Sequence, residues 1–153
     1  MLIVLNILIV VGSFLAMEAV AWLAHKYLMH GLLWKLHEDH HHKEEYGFFE
    51  HKDFFFLIFA TPGIACLAVG SFTIALYALY IGIGITLYGF CYFVVHDIFI
   101  HQRIKWFRNT SNRYLLGIRR AHKMHHKHLG KEDGECFGML WVPLKYFRDK
   151  KGS

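Results

Sequence analysis

No charged side chain occurs anywhere in residues 54–95, a run of 42. A soluble domain of 153 residues cannot hide such a run, and it is long enough for two membrane spans of about 20 residues each. Cysteine is scarce: only Cys66, Cys91 and Cys136, with no C-x-x-C pair, so neither a disulfide framework nor a thiolate zinc site is indicated. No Ser/His/Asp arrangement or Gly-rich phosphate loop is present, and no stacked-aromatic or basic nucleic-acid motif. Covalent side-chain catalysis, nucleotide chemistry and a nucleic-acid partner are therefore set aside. No Lys or Arg precedes Lys26, which weakens a signal-peptide reading of the apolar stretch 1–24.

What is present is unusually apolar: 55% hydrophobic and 17% aromatic residues. The length is that of one domain, residues 1–153. Residues 1–24 form a third apolar stretch, broken only by Glu18, and read as a retained span. The expected fold is all-α, with about three transmembrane helices and a histidine-rich helical cap. Gly70-Ser71 is the best candidate for the turn between the second and third spans. All 17 Lys and Arg fall in two regions, four in residues 26–52 and thirteen from Arg103 onward. Three spans put both regions on one side of the bilayer, and the positive-inside rule makes that side cytoplasmic and the N-terminus external. The net charge of +5 then reflects headgroup attraction and orientation. Residues 104–120 read as an amphipathic helix on the headgroups, and residues 137–147 as a second interfacial patch. Trp22, Trp34, Trp106 and Trp141 fit an interfacial belt. Glu18 inside a span requires a partner, and a polar group of the third span is the expected one.

Thirteen residues are histidine, and ten of them form two matching sets. His25 and His30 bracket four residues, and His37-x-x-His40-His41 follows. His96 and His101 bracket four residues, and His122-x-x-His125-His126 follows. Imidazole is the commonest protein ligand for Zn, Cu and non-haem Fe, and ten are too many for one tetrahedral ion. A two-metal site is the natural reading. The topology, drawn without histidine, puts all thirteen on one face. At about 100° per residue, i, i+3 and i+4 share one arc of a helix, so each H-x-x-H-H triplet presents its three rings together. The i, i+5 pairs sit about 140° apart on a regular helix and converge only where it loosens or ends. His42, His51 and His128 lie outside the repeat and are not expected to be ligands. Asp97, Glu38 and Asp39 are candidate acceptors for the second N–H of a ligating ring.

The two H-x-x-x-x-H and two H-x-x-H-H motifs resemble those of the membrane-bound fatty acid hydroxylase/sterol desaturase superfamily. The stretches His25-Lys26-Tyr27-Leu28-Met29-His30-Gly31, Val95-His96-Asp97, His101-Gln102-Arg103 and Ala121-His122-Lys123-Met124-His125-His126 narrow the resemblance to its bacterial β-carotene 3-hydroxylases. So do Gly130-Lys131-Glu132 and Phe137-Gly138. The resemblance covers residues 18–141 with all ten histidines in order. It implies a monooxygenase that uses O2 and two Fe ions held by His25, His30, His37, His40, His41, His96, His101, His122, His125 and His126. It further implies β-carotene as substrate, hydroxylated at C3 to β-cryptoxanthin and zeaxanthin, and electrons from reduced ferredoxin or a similar carrier. The implied setting is the bacterial inner membrane. No catalytic residue separate from the metal ligands is implied, and the substrate groove is not identified.

Two other readings stay open on residues alone. A fatty-acid or sterol hydroxylase or desaturase would use the same histidines. A membrane metal transporter would also bind metal, although transporters place ligands near the midplane and the spans here carry no histidine before one end. All-imidazole sites also hold zinc, so a purified sample can carry zinc in place of iron.

Overall fold

The computed structural model describes residues 1–41, 53–106, 108–132 and 134–148. Among these residues every regular element is helical. Helix α1 (Leu2–Leu23) continues into a π-helical stretch, Ala24–Leu32, which kinks at Gly31, where the backbone leaves helical geometry at φ −115°, ψ −110°. A 3₁₀ turn at Trp34–Leu36 leads to the single turn α2 (Glu38–His41). Helices α3 (Asp53–Phe72) and α4 (Leu76–Tyr92) form a hairpin, and α4 continues as a second π-helical stretch, Phe93–Ile100. Helix α5 (Arg113–His125) and a 3₁₀ turn at Leu144–Phe147 complete the fold.

Three segments are long and apolar enough to cross a membrane: Leu2–Leu32, Asp53–Phe72 and Leu76–Ile100. Their outward side chains, among them Leu8, Leu15, Phe56, Ile64, Leu87 and Phe90, are exposed and apolar. A lipid-facing surface needs that, with every backbone group satisfied inside its own helix. Helix α4 is the middle member, packed on α1 and α3. Small residues make this close approach feasible, as in membrane helix pairs generally. A Cβ on Gly84 would lie 2.5 Å from the Val10 carbonyl of α1, and one on Gly82 2.7 Å from the Leu67 amide nitrogen of α3.

The hairpin turn falls later than expected. Gly70 and Ser71 belong to α3, and the turn occupies residues 73–75. Gly70 serves a different need, since a Cβ there would run into the Leu79 backbone of α4. Thr73 makes the turn: its hydroxyl donates to the Val69 carbonyl at 2.6 Å and accepts from the Ala75 amide at 3.1 Å. The amphipathic helix also starts later than expected. Residues 104–106 and 108–112 are non-helical, and Asn112 caps α5 by accepting from the Leu115 amide at 3.1 Å.

The apolar face of α5 buries Ile118 and Ala121 against Phe99, Ile100, Val142 and Tyr146. Burying an isoleucine of this kind contributes about 1.5–3 kcal/mol. Arg119 strengthens the join, its guanidinium lying 4.0 Å from the Phe99 ring centroid and donating to the Phe99 carbonyl at 3.2 Å. The result locks α5 under the end of α4. The same end of the bundle carries the end of α1 and the turn α2, so four histidine-bearing segments converge there.

Candidate metal centre

The i, i+5 problem is solved by the two π-helical stretches. In a π-helix the N–H of residue i+5 bonds the carbonyl of residue i, which brings residues five apart one above the other. His25 and His30 lie in the first stretch; His96 lies in the second, and His101 is the residue that caps it. The His101 amide itself donates to the His96 carbonyl at 2.9 Å. Ring centroids are 5.2 Å apart in the first pair and 4.6 Å in the second. Gln102, in the left-handed region at φ 56°, ends the second stretch, and its Nε2 donates to the Phe99 carbonyl at 2.6 Å.

Nine of the ten repeated histidines form two adjoining groups, and the tenth, His96, lies beside one of them. His25, His30, His37, His41 and His125 form one, and His40, His101, His122 and His126 the other; within each, one ring nitrogen per residue lies within 4.8 Å of all the rest. His96 flanks the second group, with its centroid 4.6 Å from His101 and 4.8 Å from His122. The groups touch where His41 and His126 stack at 4.6 Å. His128 belongs to neither group, and His42 and His51 fall outside the described residues.

The triplets do not act as units. The i, i+4 rings, His37 with His41 and His122 with His126, stay together, and the i+3 ring of each triplet crosses over. His40 joins the later histidines and His125 the earlier ones. Helical geometry gives the reason: rings at i+3 and i+4 lie about 100° apart and so can look into different spaces.

Backbone carbonyls orient four of the rings. The Nδ1 of His25 faces the Phe137 carbonyl at 3.0 Å, His30 faces Lys131 at 3.2 Å, His41 faces His128 at 3.0 Å, and His125 faces Glu135 at 2.8 Å. A carbonyl only accepts, so each Nδ1 carries a proton, and a neutral ring held this way keeps a bare Nε2. All four carbonyls come from residues 128–137, the strap that follows α5. Sequence reasoning missed this, because backbone acceptors leave no residue-type signal. Of the expected side-chain acceptors, Asp97 has Oδ2 3.3 Å from His96 Nδ1, Asp39 is buried, and Glu38 is exposed. Arg103 binds both Asp53 oxygens at 3.0 Å and lies 3.6 Å from Asp97, tying the carboxylate that faces His96 to the start of α3.

The aromatic surroundings are close. Tyr92 stacks on His96 at 4.8 Å, Phe55 meets His37 edge-on at 6.2 Å, and Phe137 packs on His25, His30 and His125. Burial holds His37 and His122 well below the ordinary histidine range, helped by neighbouring histidines. His125 falls to about 2, mainly by burial and next by the charges of His25 and His41, against the Glu135 carbonyl bond that raises it. These rings are neutral at physiological pH, the form that binds metal.

The cluster fits a metal ion on its own chemistry. The Nε2 atoms of His30 and His125 face each other at 3.2 Å, yet both Nδ1 protons are committed to carbonyls. Two bare lone pairs at that distance repel unless a cation lies between them. His101, His122 and His126 show the same convergence, with Nε2 pairs at 2.8 Å. Imidazoles sharing one ion at about 2.0–2.1 Å place their nitrogens about 2.8–3.4 Å apart. His37 Nδ1 is buried without a hydrogen-bond partner, as tolerated in a ligand-rich cavity.

A family model named fatty acid hydroxylase matches residues 10–145. The chain belongs to the fatty acid hydroxylase family. Within that family it is 41% identical, over 90% of its own length and 77% of the relative, to a β-carotene hydroxylase of Pseudescherichia vulneris. A β-carotene hydroxylase of Pantoea ananas is also 41% identical, over 94% of this chain and 81% of the relative. One from Paracoccus sp. strain N81106 is 34% identical over 90% of this chain. No solved structure matches the chain. The paired histidine groups at one end of three apolar helices are thus a feature of a hydroxylase family member, and its donor set is suited to a metal centre.

Proposed function

We propose that the protein is an O2-dependent β-carotene 3-hydroxylase, adding hydroxyl groups at C3 of the β-ionone rings to give β-cryptoxanthin and then zeaxanthin. The observation that carries this reading is the pair of adjoining all-imidazole groups, drawn from both sequence repeats, in a chain 41% identical to β-carotene hydroxylases. The whole chain acts as one domain. His25, His30, His37, His41 and His125 would hold one iron ion, and His40, His101, His122 and His126, with His96, the other. Bound iron supplies the oxidising power that an unactivated C–H bond demands and that no side chain here offers.

The protein's part is placement. Neutral rings keep their lone pairs for metal, and the 128–137 carbonyls hold four of them in the required tautomer. Asp97 does the same for His96. The site sits at the end of the apolar helices, so a lipid-dissolved carotenoid and O2 both reach it from the bilayer. Phe55, Phe137 and Trp34 flank the first group and present apolar surface to a ring. Holding the ring against the metals sets which carbon reacts. The positive-inside rule puts this end at the cytoplasmic face of the bacterial inner membrane. There the basic residues of the C-terminal half steer an acidic one-electron carrier, ferredoxin or its like, by charge.

Carotenoid analysis of a β-carotene-producing host tests the reading. Expression of this chain should yield 3-hydroxylated carotenoids, and the His40→Ala variant should be inserted in the membrane without yielding them. Unaltered β-carotene alongside hydroxylated fatty acids or sterols would transfer the assignment to those lipids.

A further inference from the structure

Glu18 is the one acidic residue within the first apolar segment, and its side chain is fully engaged. Its Oε1 accepts from three consecutive backbone amides, Met139 at 2.9 Å, Leu140 at 2.9 Å and Trp141 at 3.0 Å. Its Oε2 accepts from the Tyr88 hydroxyl of α4 at 2.7 Å. Three N–H groups converging on one oxygen form an anion-binding concavity of the kind that backbone nests provide. Gly138 stands at its rim: a Cβ there would lie 2.8 Å from the Trp141 carbonyl and 3.0 Å from Glu18 Oε1. The residues just before the concavity supply the Phe137 carbonyl to His25 and the Glu135 carbonyl to His125. Cys136 between them holds the left-handed region at φ 62°, which a loosened strap would abandon.

We infer that Glu18 is a positioning residue for the metal centre: by gripping amides 139–141 it fixes the carbonyls of Glu135 and Phe137, and through them the ring orientation of His25 and His125. Glu18 lies two helical turns before His25 on the same helix, so one segment carries both a ligand and the anchor of the strap that aims it. The inference rests on the metal-binding reading of the histidines. It separates the strap into two parts. Residues 135–137 depend on Glu18, whereas the carbonyls of His128 and Lys131, which serve His41 and His30, do not touch it.

The test uses the full-length chain in detergent, with zinc as the metal probe. Zinc affinity is measured by chelator competition, and the Nδ1–H signals of the zinc-loaded protein by NMR. Glu18→Ala should weaken zinc binding by about 10- to 100-fold, the usual effect of losing an outer support of a metal ligand. Exchange protection should be lost at His25 and His125 and kept at His30 and His41. Gly138→Ala should reproduce both effects without altering the carboxylate, which decides the matter if Glu18→Ala does not fold. Glu18→Gln keeps an acceptor oxygen and should recover most of the affinity, and Tyr88→Phe, which leaves Oε1 untouched, should bind zinc as the wild type does. Wild-type affinity in both Glu18→Ala and Gly138→Ala would overturn the positioning role while leaving the metal centre intact, and so would equal loss of protection at all four histidines. A wild-type chain that binds no zinc would overturn the metal reading and this inference with it.

Discussion

The crossing of His40 and His125 makes a prediction that no repeat-by-repeat assignment shares. The His40 centroid lies 4.3 Å from His101 and 4.4 Å from His126, against 5.2 Å from His37 and 6.1 Å from His41. The His125 centroid lies 4.5 Å from His25 and 4.8 Å from His30, against 5.8 Å from His122 and 5.6 Å from His126. Removing one ring from a group should weaken that group by at least the 10- to 100-fold typical of losing an outer-shell support, about 1.4–2.7 kcal/mol. Two double variants then separate the models. His37→Ala with His125→Ala strips one group only and should leave about one tightly held metal per chain. His37→Ala with His40→Ala damages both groups and should leave none. The assay is metal per folded chain after dialysis against a weak chelator. The reverse pattern, with the same-repeat pair retaining one metal and the cross-repeat pair none, would refute the assignment.

Acid should destabilise the metal-free protein. His37, His122 and His125 are held below the ordinary range in the folded state, His125 at about 2, and each titrates near 6.5 when unfolded. The unfolded chain therefore binds more protons below about pH 6.5, so this stability is present above that pH and is lost as pH falls toward 2. Each histidine contributes a slope of up to about 1.4 kcal/mol per pH unit, and thermal unfolding that shifted upward on acidification would contradict it. Asp97→Asn removes the charge that faces His96 and Arg103, and should lower metal affinity about 10-fold in the same chelator assay. Gly84→Val forces a side chain against the Val10 carbonyl at the α1–α4 crossing. It should destabilise by about 1–3 kcal/mol, read as a lowered unfolding midpoint in detergent with unchanged metal content after refolding into the fold.

Much of this architecture is legible in the residues because each signal is one of composition or spacing. The uncharged run 54–95 announces a helical pair, and the ten histidines announce their own convergence once the spans place them at one end. The i, i+5 spacing even implied a loosened helix, which the two π-helical stretches supply. A polar partner for Glu18 from the third apolar segment was expected, and Tyr88 is that partner. The backbone amides of residues 139–141 were not legible, since no side chain marks an amide as a donor to a distant carboxylate. The same holds for the four carbonyls of residues 128–137. The exchange of His40 and His125 was hidden for another reason: an arc of 100° spans the boundary between two sites, and sequence periodicity does not locate that boundary. The turn was misplaced because glycine has two uses, and at Gly70 close helix contact outweighs turn formation.

Under the proposed function, the paired imidazole groups direct O2 chemistry onto a carotenoid ring. Heavy-oxygen O2 supplied to β-carotene-producing cells that express the chain tests it most directly. The C3 hydroxyl of the product should carry the heavy isotope, and His40→Ala cells should make none. A hydroxyl derived from water, or ring hydroxylation undiminished in the His40→Ala cells, would contradict it.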